Sequence, residues 1–239
     1  MSRIVVLGDL NLDVHACAPS NLYPGEETRD RVRAKAGGSA GTFARTAARS
    51  GASVAFVGCV GTDLVGDLLI RSLEQAGVES HVQRVGRPSG VILALAQGAE
   101  RTLICSRGAN DGLRADGIDR ALIDRADHLH VSGYAFLSPA QRPAVRRAID
   151  AAHDRGLSIS VDPPPANLIR TVGVGSFWER LPLAAWLFPN RSEGALLTER
   201  EEPGVIVDRL AARAPVGALT LGGDGALAWS ADRRDARQS

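Results

Sequence analysis

Four short segments carry the residue types that could meet a ligand. GDLNLD, residues 8–13, sets Asn11 and Asp13 just after an apolar run. AGGSAG, residues 36–41, sets Gly37 and Gly38 ahead of a helix-like stretch. PNRSE, residues 189–193, offers Asn190 and, three positions on, Glu193. TLGGDG, residues 220–225, offers Thr220 with Gly222 and Gly225 in a turn. Paired glycines let a backbone approach a ligand closely, and a helix start presents free N–H donors. Each segment also has a plainer reading. Gly37-Gly38 could be a turn, Asn190 a helix cap, and Asp13 a solvated loop carboxylate. The known phosphate loops are absent: there is no G-x-x-x-x-G-K-[ST], and no G-x-G-x-x-G follows the first strand.

The elements that must position these segments alternate. IVVLG (4–8), SVAFVGCVG (53–61), LSISVD (157–162), WLFPN (186–190) and VGALTLG (216–222) read as buried strands. Between them lie helical stretches. One holds Phe43, Ala44, Ala47 and Ala48 and stops at Gly51. Another opens at Asp63, with Leu64, Leu68 and Leu73 expected on its inner side. Ser138-Pro139 is expected to start a third. Strands alternating with helices predict an α/β fold: a mostly parallel sheet with helices on both faces. Residues 79–106 break the alternation with strand-like runs and turn signals, which predicts a small antiparallel lid. RVRAK (31–35) could be a lid or edge strand. The reading is one domain over 1–239 with lid segments at about 14–35 and 79–106. Ligands in such sheets gather at the carboxyl ends of the strands, and all four segments fall there.

Composition narrows the classes. With 44% hydrophobic residues the chain can bury a core, and with 4% aromatic residues that core is aliphatic. A formal net charge of +1 argues against a nucleic-acid partner or a polybasic membrane module. Cys17, Cys59 and Cys105 are scattered and odd in number, so neither a disulfide framework nor a zinc site is expected and a cytoplasmic location is. The first residues lack the apolar run of a signal peptide, and no stretch reaches the roughly 20 apolar residues of a membrane span. His128 and His130 alternate on one strand face and could share a metal, but no further ligand motif accompanies them. Pro163 to Pro165 read as a rigid loop after a strand, and Arg142, Arg146 and Arg147 as a solvated helix face.

Taken in order, the segments resemble the ribokinase-like, or PfkB, carbohydrate and nucleoside kinases. The resemblance runs from residue 3 to about 230. It rests on GDLNLD, AGGSAGTFARTAARSG, VGCVGTDLVGDLLIRSLEQAGV, RGAN (107–110), VDPPPA (161–166), PNRSE and TLGGDG. It implies phosphoryl transfer from ATP, with Mg2+, to a hydroxyl of a small-molecule sugar or nucleoside. By position it implies substrate contacts from Asn11, Asp13, Gly37, Gly38 and Thr42. It implies nucleotide contacts from Asn190, Thr220, Gly222 and Gly225, and a metal role for Glu193. A homodimer through free lid-strand edges is expected as well.

Two positions depart from the family pattern. Thr42 stands where the family commonly has asparagine, which leaves substrate preference open. The family's Gly-Ala-Gly-Asp segment, whose aspartate is the base, does not occur in the 239 residues, so no catalytic residue is assigned. The expectation is a C-terminally truncated kinase with impaired turnover. A non-catalytic sugar- or nucleotide-binding relative and an inactive truncated product are the alternatives.

Overall fold

A computed structural model describes residues 2–18, 27, 31–97, 100–182, 185–230 and 233–237. The chain begins β1 (Arg3–Leu7), β2 (Asn11–Ala18), β3 (Val32–Gly37), α1 (Ser39–Arg49), β4 (Ser53–Gly61) and α2 (Leu64–Glu74). It continues β5 (Glu79–Val85), β6 (Gly90–Gln97), β7 (Glu100–Ser106), α3 (Arg120–Asp124), β8 (His128–Ser132), α4 (Gly133–Leu137) and α5 (Arg142–Asp154). It ends β9 (Ser158–Asp162), α6 (Ala166–Val172), α7 (Val174–Arg180), β10 (Trp186–Leu187), α8 (Arg191–Thr198), α9 (Pro203–Ala211), β11 (Gly217–Thr220), β12 (Ala226–Ser230) and β13 (Arg233–Arg237).

Nine strands form the main sheet in the order β13-β12-β11-β10-β9-β8-β1-β4-β5. From β11 to β5 every pairing is parallel; β12 and β13 add antiparallel strands at one edge. The apolar runs read from the sequence are these strands, and burial on both faces explains their lack of alternation. The larger core, including Leu129, Val131, Ile159, Val161, Leu187, Leu219 and Trp229, lies on one sheet face under α3, α5, α8 and α9. A smaller core on the other face joins Val6, Phe56, Leu69 and Leu73 beneath α1 and α2. Strand order reverses at β1, whose neighbours β4 and β8 are far apart in the chain. That switch point opens a crevice at the strands' carboxyl ends.

The antiparallel set expected over 79–106 divides. Glu79–Val85 pairs parallel with β4 at the edge of the main sheet. Only β6 and β7 join β2 and β3 in a second, four-stranded sheet of order β3-β2-β6-β7. Most of the expected lid segment between β2 and β3, residues 19–26 and 28–30, lies outside the described residues.

Helix α2 faces the core differently from expectation. Asp63 caps it, accepting from the Gly66 N–H at 2.8 Å, but Leu64 is 84% exposed. The buried positions are Gly66, Leu69 and Leu73, because Gly66 lies against the Gly61 carbonyl and fixes which side turns inward. Helix α5 begins at Arg142, three residues past Pro139. The Ser138 carbonyl instead closes a turn, accepting from the N–H groups of Gln141 and Arg142.

Candidate functional site

The turn after β1 holds the first half of the site. Asp9 is buried there and gathers three elements. Its Oδ2 accepts from the Ser39 N–H at 3.0 Å and the Asn11 amide at 3.2 Å, and its Oδ1 accepts from the Ser132 hydroxyl at 2.8 Å. Those bonds join β1 to the start of α1 and the end of β8. Asn11 is held from its other side by Asn110, whose Nδ2 donates to Asn11 Oδ1 at 2.7 Å and whose Oδ1 accepts from the Leu10 N–H at 2.9 Å. Gly90 leaves room for this amide pair; a side chain there would strike both.

Gly37 and Gly38 are required by space and by conformation. A Cβ on Gly37 would fall onto the Asp13 carboxylate. Gly38 adopts φ 83°, ψ 143°, a conformation essentially restricted to glycine, and a Cβ would come within 2.6 Å of the Asp9 carbonyl oxygen. These constraints account for both glycines by the turn reading. Asp13 lies on β2 of the small sheet, not in a loop. Thr42 sits one turn into α1, where Arg45 Nη2 reaches its hydroxyl at 3.4 Å and the Ala36 carbonyl at 2.9 Å. Burial and then the nearby Arg49 lower the pKa of Arg45.

Together these groups surround a cleft of about 410 Å3 between the main sheet and the small one. Asn11, Asp13, Gly38 and Thr42 line it from one side, and Arg107 and Tyr134 from another. Arg107 is fixed by Asp111 at 2.8 Å and Gln141 at 3.0 Å, and lies over the Tyr134 ring. Burial raises the Tyr134 pKa to about 12, so its hydroxyl stays a donor. Asp162, at the end of β9, closes the floor, accepting from the Ser39 hydroxyl at 2.6 Å. Burial raises its pKa against that hydrogen bond, and the charge of Asp9 adds to the rise.

The second half follows along the same edge. Asn190 caps α8: its Oδ1 accepts from the Glu193 N–H at 3.0 Å, and the Glu193 carboxylate accepts from the Asn190 N–H at 2.9 Å and side-chain amide at 2.7 Å. This reciprocal box confirms the capping reading. Glu193 is buried, and burial first, with the charge of Asp162 adding, pushes its pKa up to about 7. Thr220 lies beside Asn190, its N–H donating to the Pro189 carbonyl at 2.9 Å. Beyond it a single 3-10 turn, Gly222–Asp224, stands exposed, with φ 64° at Gly222 and 88° at Gly225. The structure thus brings Asn11, Gly38 and Thr42 to one cleft with Asp13, and Asn190 to Thr220.

Asp9, Ser39, Ser132, Asp162 and the role of Asn110 were not singled out from sequence. Asp9, Ser132 and Asp162 stand at strand ends, so the strand-end rule applied to every strand would have found them. His128 and His130 do lie on one face, but three of their four ring nitrogens bond to serines, and His130 Nε2 is buried without a hydrogen-bond partner. His128 reaches Ser158 and Ser160 at 2.7 Å each, and His130 Nδ1 reaches Ser160 at 2.8 Å. His130 also stacks on Phe43, ring centroids 3.7 Å apart. Pro164 packs against Gly133, as a rigid loop should.

A doubly wound α/β sheet with a cleft at the carboxyl ends of its strands is the arrangement in which open α/β proteins bind small molecules. The chain belongs to the pfkB family of carbohydrate kinases, since the family described as "pfkB family carbohydrate kinase" matches residues 1–237. It is 28% identical over 201 residues to a ribokinase of Haemophilus influenzae, an alignment covering 82% of this chain and 62% of the relative. It is 31% identical over 208 residues to an ATP-dependent ribose-1-phosphate kinase of Halopiger xanaduensis, covering 84% of this chain and 66% of the relative. These matches span just under two thirds of each relative's length. Among solved structures, one from E. coli in complex with ATP and Mg2+ superposes with a TM-score of 0.83 at 20% identity, covering 100% of this chain and 79% of that one.

Proposed function

We propose that this chain carries the substrate-binding apparatus of an ATP-dependent kinase that phosphorylates a hydroxyl of a sugar or related carbohydrate. The observation that carries the reading is the contiguity of the two halves. Asp162 touches Ser39 in the acceptor cleft at the end of β9, and β9 pairs with β10, which leads to Asn190, the cap of Glu193 and the bridge partner of Thr220. An acceptor hydroxyl in the cleft would therefore lie next to a nucleotide held at the turn, as phosphoryl transfer requires. Asn11, Asp13, the backbone of Gly37 and Gly38, and Thr42 are the proposed sugar contacts. Asp13 accepts from hydroxyls, and Thr42 supplies one hydroxyl where an asparagine would supply a paired donor and acceptor. Asn190, Thr220, Gly222 and Gly225 are the proposed nucleotide contacts.

The carboxylates fit a hard cation. Glu193 and Asp162 are oxygen donors; burial raises the pKa of both, and the charge of Asp162 adds to the rise at Glu193. Mg2+ takes one or two carboxylates and completes its shell from water and phosphate. Glu193 is the proposed protein ligand, and the ion supplies charge neutralisation on the phosphates.

Calorimetry over a sugar panel, run beside a coupled ATP-turnover assay, tests the reading. Saturable sugar binding is expected, and the absence of any sugar binding would overturn it. The cytoplasm and a homodimer are part of the same reading. The small sheet leaves Val32 65% and Ile104 58% exposed, surface that a second copy would cover, and sedimentation velocity decides it. Among the described residues no helix is long and apolar enough to cross a membrane.

A further inference from the structure

A second cleft, of about 420 Å3, lies where the carboxyl end of α8, the following loop, α7 and the end of α9 meet. Three guanidinium groups line it, those of Arg200, Arg209 and Arg213, together with the Trp178 ring. Helices α8 and α9 run back from the strands' carboxyl ends, so this cleft opens on the opposite rim of the sheet from the acceptor cleft. Helix α8 spans the gap, with Glu193 on its first turn and Leu197 and Thr198 on its last.

Arg209 lies in the last turn of α9 and Arg213 two residues past its end, and both line the cleft. Arg200 Nη1 donates to the Glu199 backbone carbonyl at 2.7 Å. Arg213 stacks with its Cζ 4.7 Å from the Trp178 ring centroid, and Trp178 is fixed by its Nε1–H donating to the Leu197 carbonyl at 3.2 Å. Stacking occupies the face of a guanidinium and leaves its N–H edge free to donate. Arg3, Arg84, Arg107, Arg114 and Arg120, by contrast, each pair with a carboxylate. Among the described residues no ion pair involves Arg200, Arg209 or Arg213. Glu199 at the rim and the carbonyl end of α8 oppose an anion, but three full positive charges outweigh them.

We propose that this cleft is a binding site for a small phosphate-bearing anion. Guanidinium edges match the oxygens of a phosphate in bidentate geometry, and the open cleft admits a small molecule. Free phosphate and a phosphate monoester share that chemistry. The site is independent of the kinase reading and stands or falls separately.

The test follows the three tryptophan indole N–H signals of the 15N-labelled chain by NMR, with Trp178 assigned by its loss in Trp178→Phe. Inorganic phosphate is titrated against sodium chloride at constant ionic strength, and glycerol 3-phosphate forms the second arm. The expected result is a saturating shift of the Trp178 signal by phosphate and not by chloride, with a Kd of about 1 mM or below. A tighter ester than phosphate assigns the site to monoesters, and the reverse order to the free ion. Arg209→Ala with Arg213→Ala should weaken binding by roughly tenfold or more, and the double lysine variant by less, because lysine keeps the charge without the fork. Should the double alanine variant unfold, Arg209→Ala alone, on the exposed face of α9, serves the same purpose. A linear response in wild type, an equal response to chloride, or unchanged affinity in the variants would overturn the proposal.

Discussion

The half of the candidate site proposed to take the acceptor and the half proposed to take the nucleotide are built in different ways. The acceptor half is a closed network of side chains: Asp9, Asn11, Ser39, Asn110 and Ser132 hold one another, and Asp9, Asn11, Asn110 and Ser132 are all buried. The nucleotide half has one built element, the Asn190–Glu193 box, followed by an exposed turn of backbone. A polyhydroxyl ligand needs donors and acceptors at fixed points, which only locked side chains provide. A triphosphate needs N–H groups and room, which glycine backbone provides without side chains. Damage to the first half should therefore spread, and damage to the second should stay local.

The largest effect is expected at Gly38. Gly38→Ala puts a side chain into a glycine-only conformation and against the Asp9 carbonyl. The conformation alone costs about 1–3 kcal/mol, and the collision adds to it. Urea denaturation should show that loss, and calorimetry should show sugar binding gone. Next comes Asn110→Ala. It strands the buried Leu10 N–H and releases Asn11, at a cost of about 1–3 kcal/mol. Sugar affinity should fall while nucleotide affinity holds. If nucleotide affinity falls equally, the halves are not independent and the contrast fails.

The contrast also explains what could be read from the sequence. The alternation of strands and helices was legible because each element signals locally, through apolar runs, Asp63 and Asn190 as caps, and Gly51 as a stop. The Asn190–Glu193 box and the glycine turn were legible for the same reason: Asn190 and Glu193 are three residues apart, and the turn is one hexapeptide. The acceptor network was only half legible. Asn110 meets Asn11 across 99 residues and Ser132 meets Asp9 across 123, and no local pattern encodes such pairs. Where two local signals competed, tertiary packing decided. Leu64 and Leu68 share a helical stripe, yet Gly66 turned the other stripe inward. Glu79–Val85 looked like a lid strand, but its parallel register with β4 placed it in the main sheet.

A smaller effect, with a pH signature, is expected at Glu193. Its folded pKa of about 7 lies above the ordinary 4.5, chiefly through burial. The folded state therefore prefers the neutral acid. The stability this group contributes is complete below pH 4.5 and is lost as pH rises to about 7. Histidine burial acts in the opposite sense. His128 and His130 are held down to about 4 and 3, so their contribution is complete above pH 6.5 and is lost as pH falls through those values. Glu193→Gln should flatten the first dependence and leave the second. Under the proposed metal role, magnesium-nucleotide binding needs the carboxylate, so affinity in the unmodified chain should fall by up to about tenfold per pH unit below 7. Calorimetry of a magnesium-nucleotide complex from pH 5.5 to 8.5 is the measurement, and a flat profile would reject the metal role.

The smallest effect is expected at Gly222, and it tests the locality of the second half most directly. Like Gly38 it has a positive φ, 64° against 83°. Unlike Gly38 it has nothing within 4 Å of where a Cβ would stand. Alanine at Gly222 therefore meets a conformational cost of roughly 1 kcal/mol and no collision. The turn is exposed, and its bonds, Leu221 N–H to the Gly225 carbonyl among them, lie within the turn itself. Gly222→Ala should thus leave sugar affinity untouched and lower the melting temperature only slightly. It should weaken nucleotide binding a few-fold, because the methyl group projects into space that a phosphate would approach. A Gly222→Ala variant that loses sugar binding as Gly38→Ala does would mean the turn supports the acceptor cleft, and that the two halves are one network.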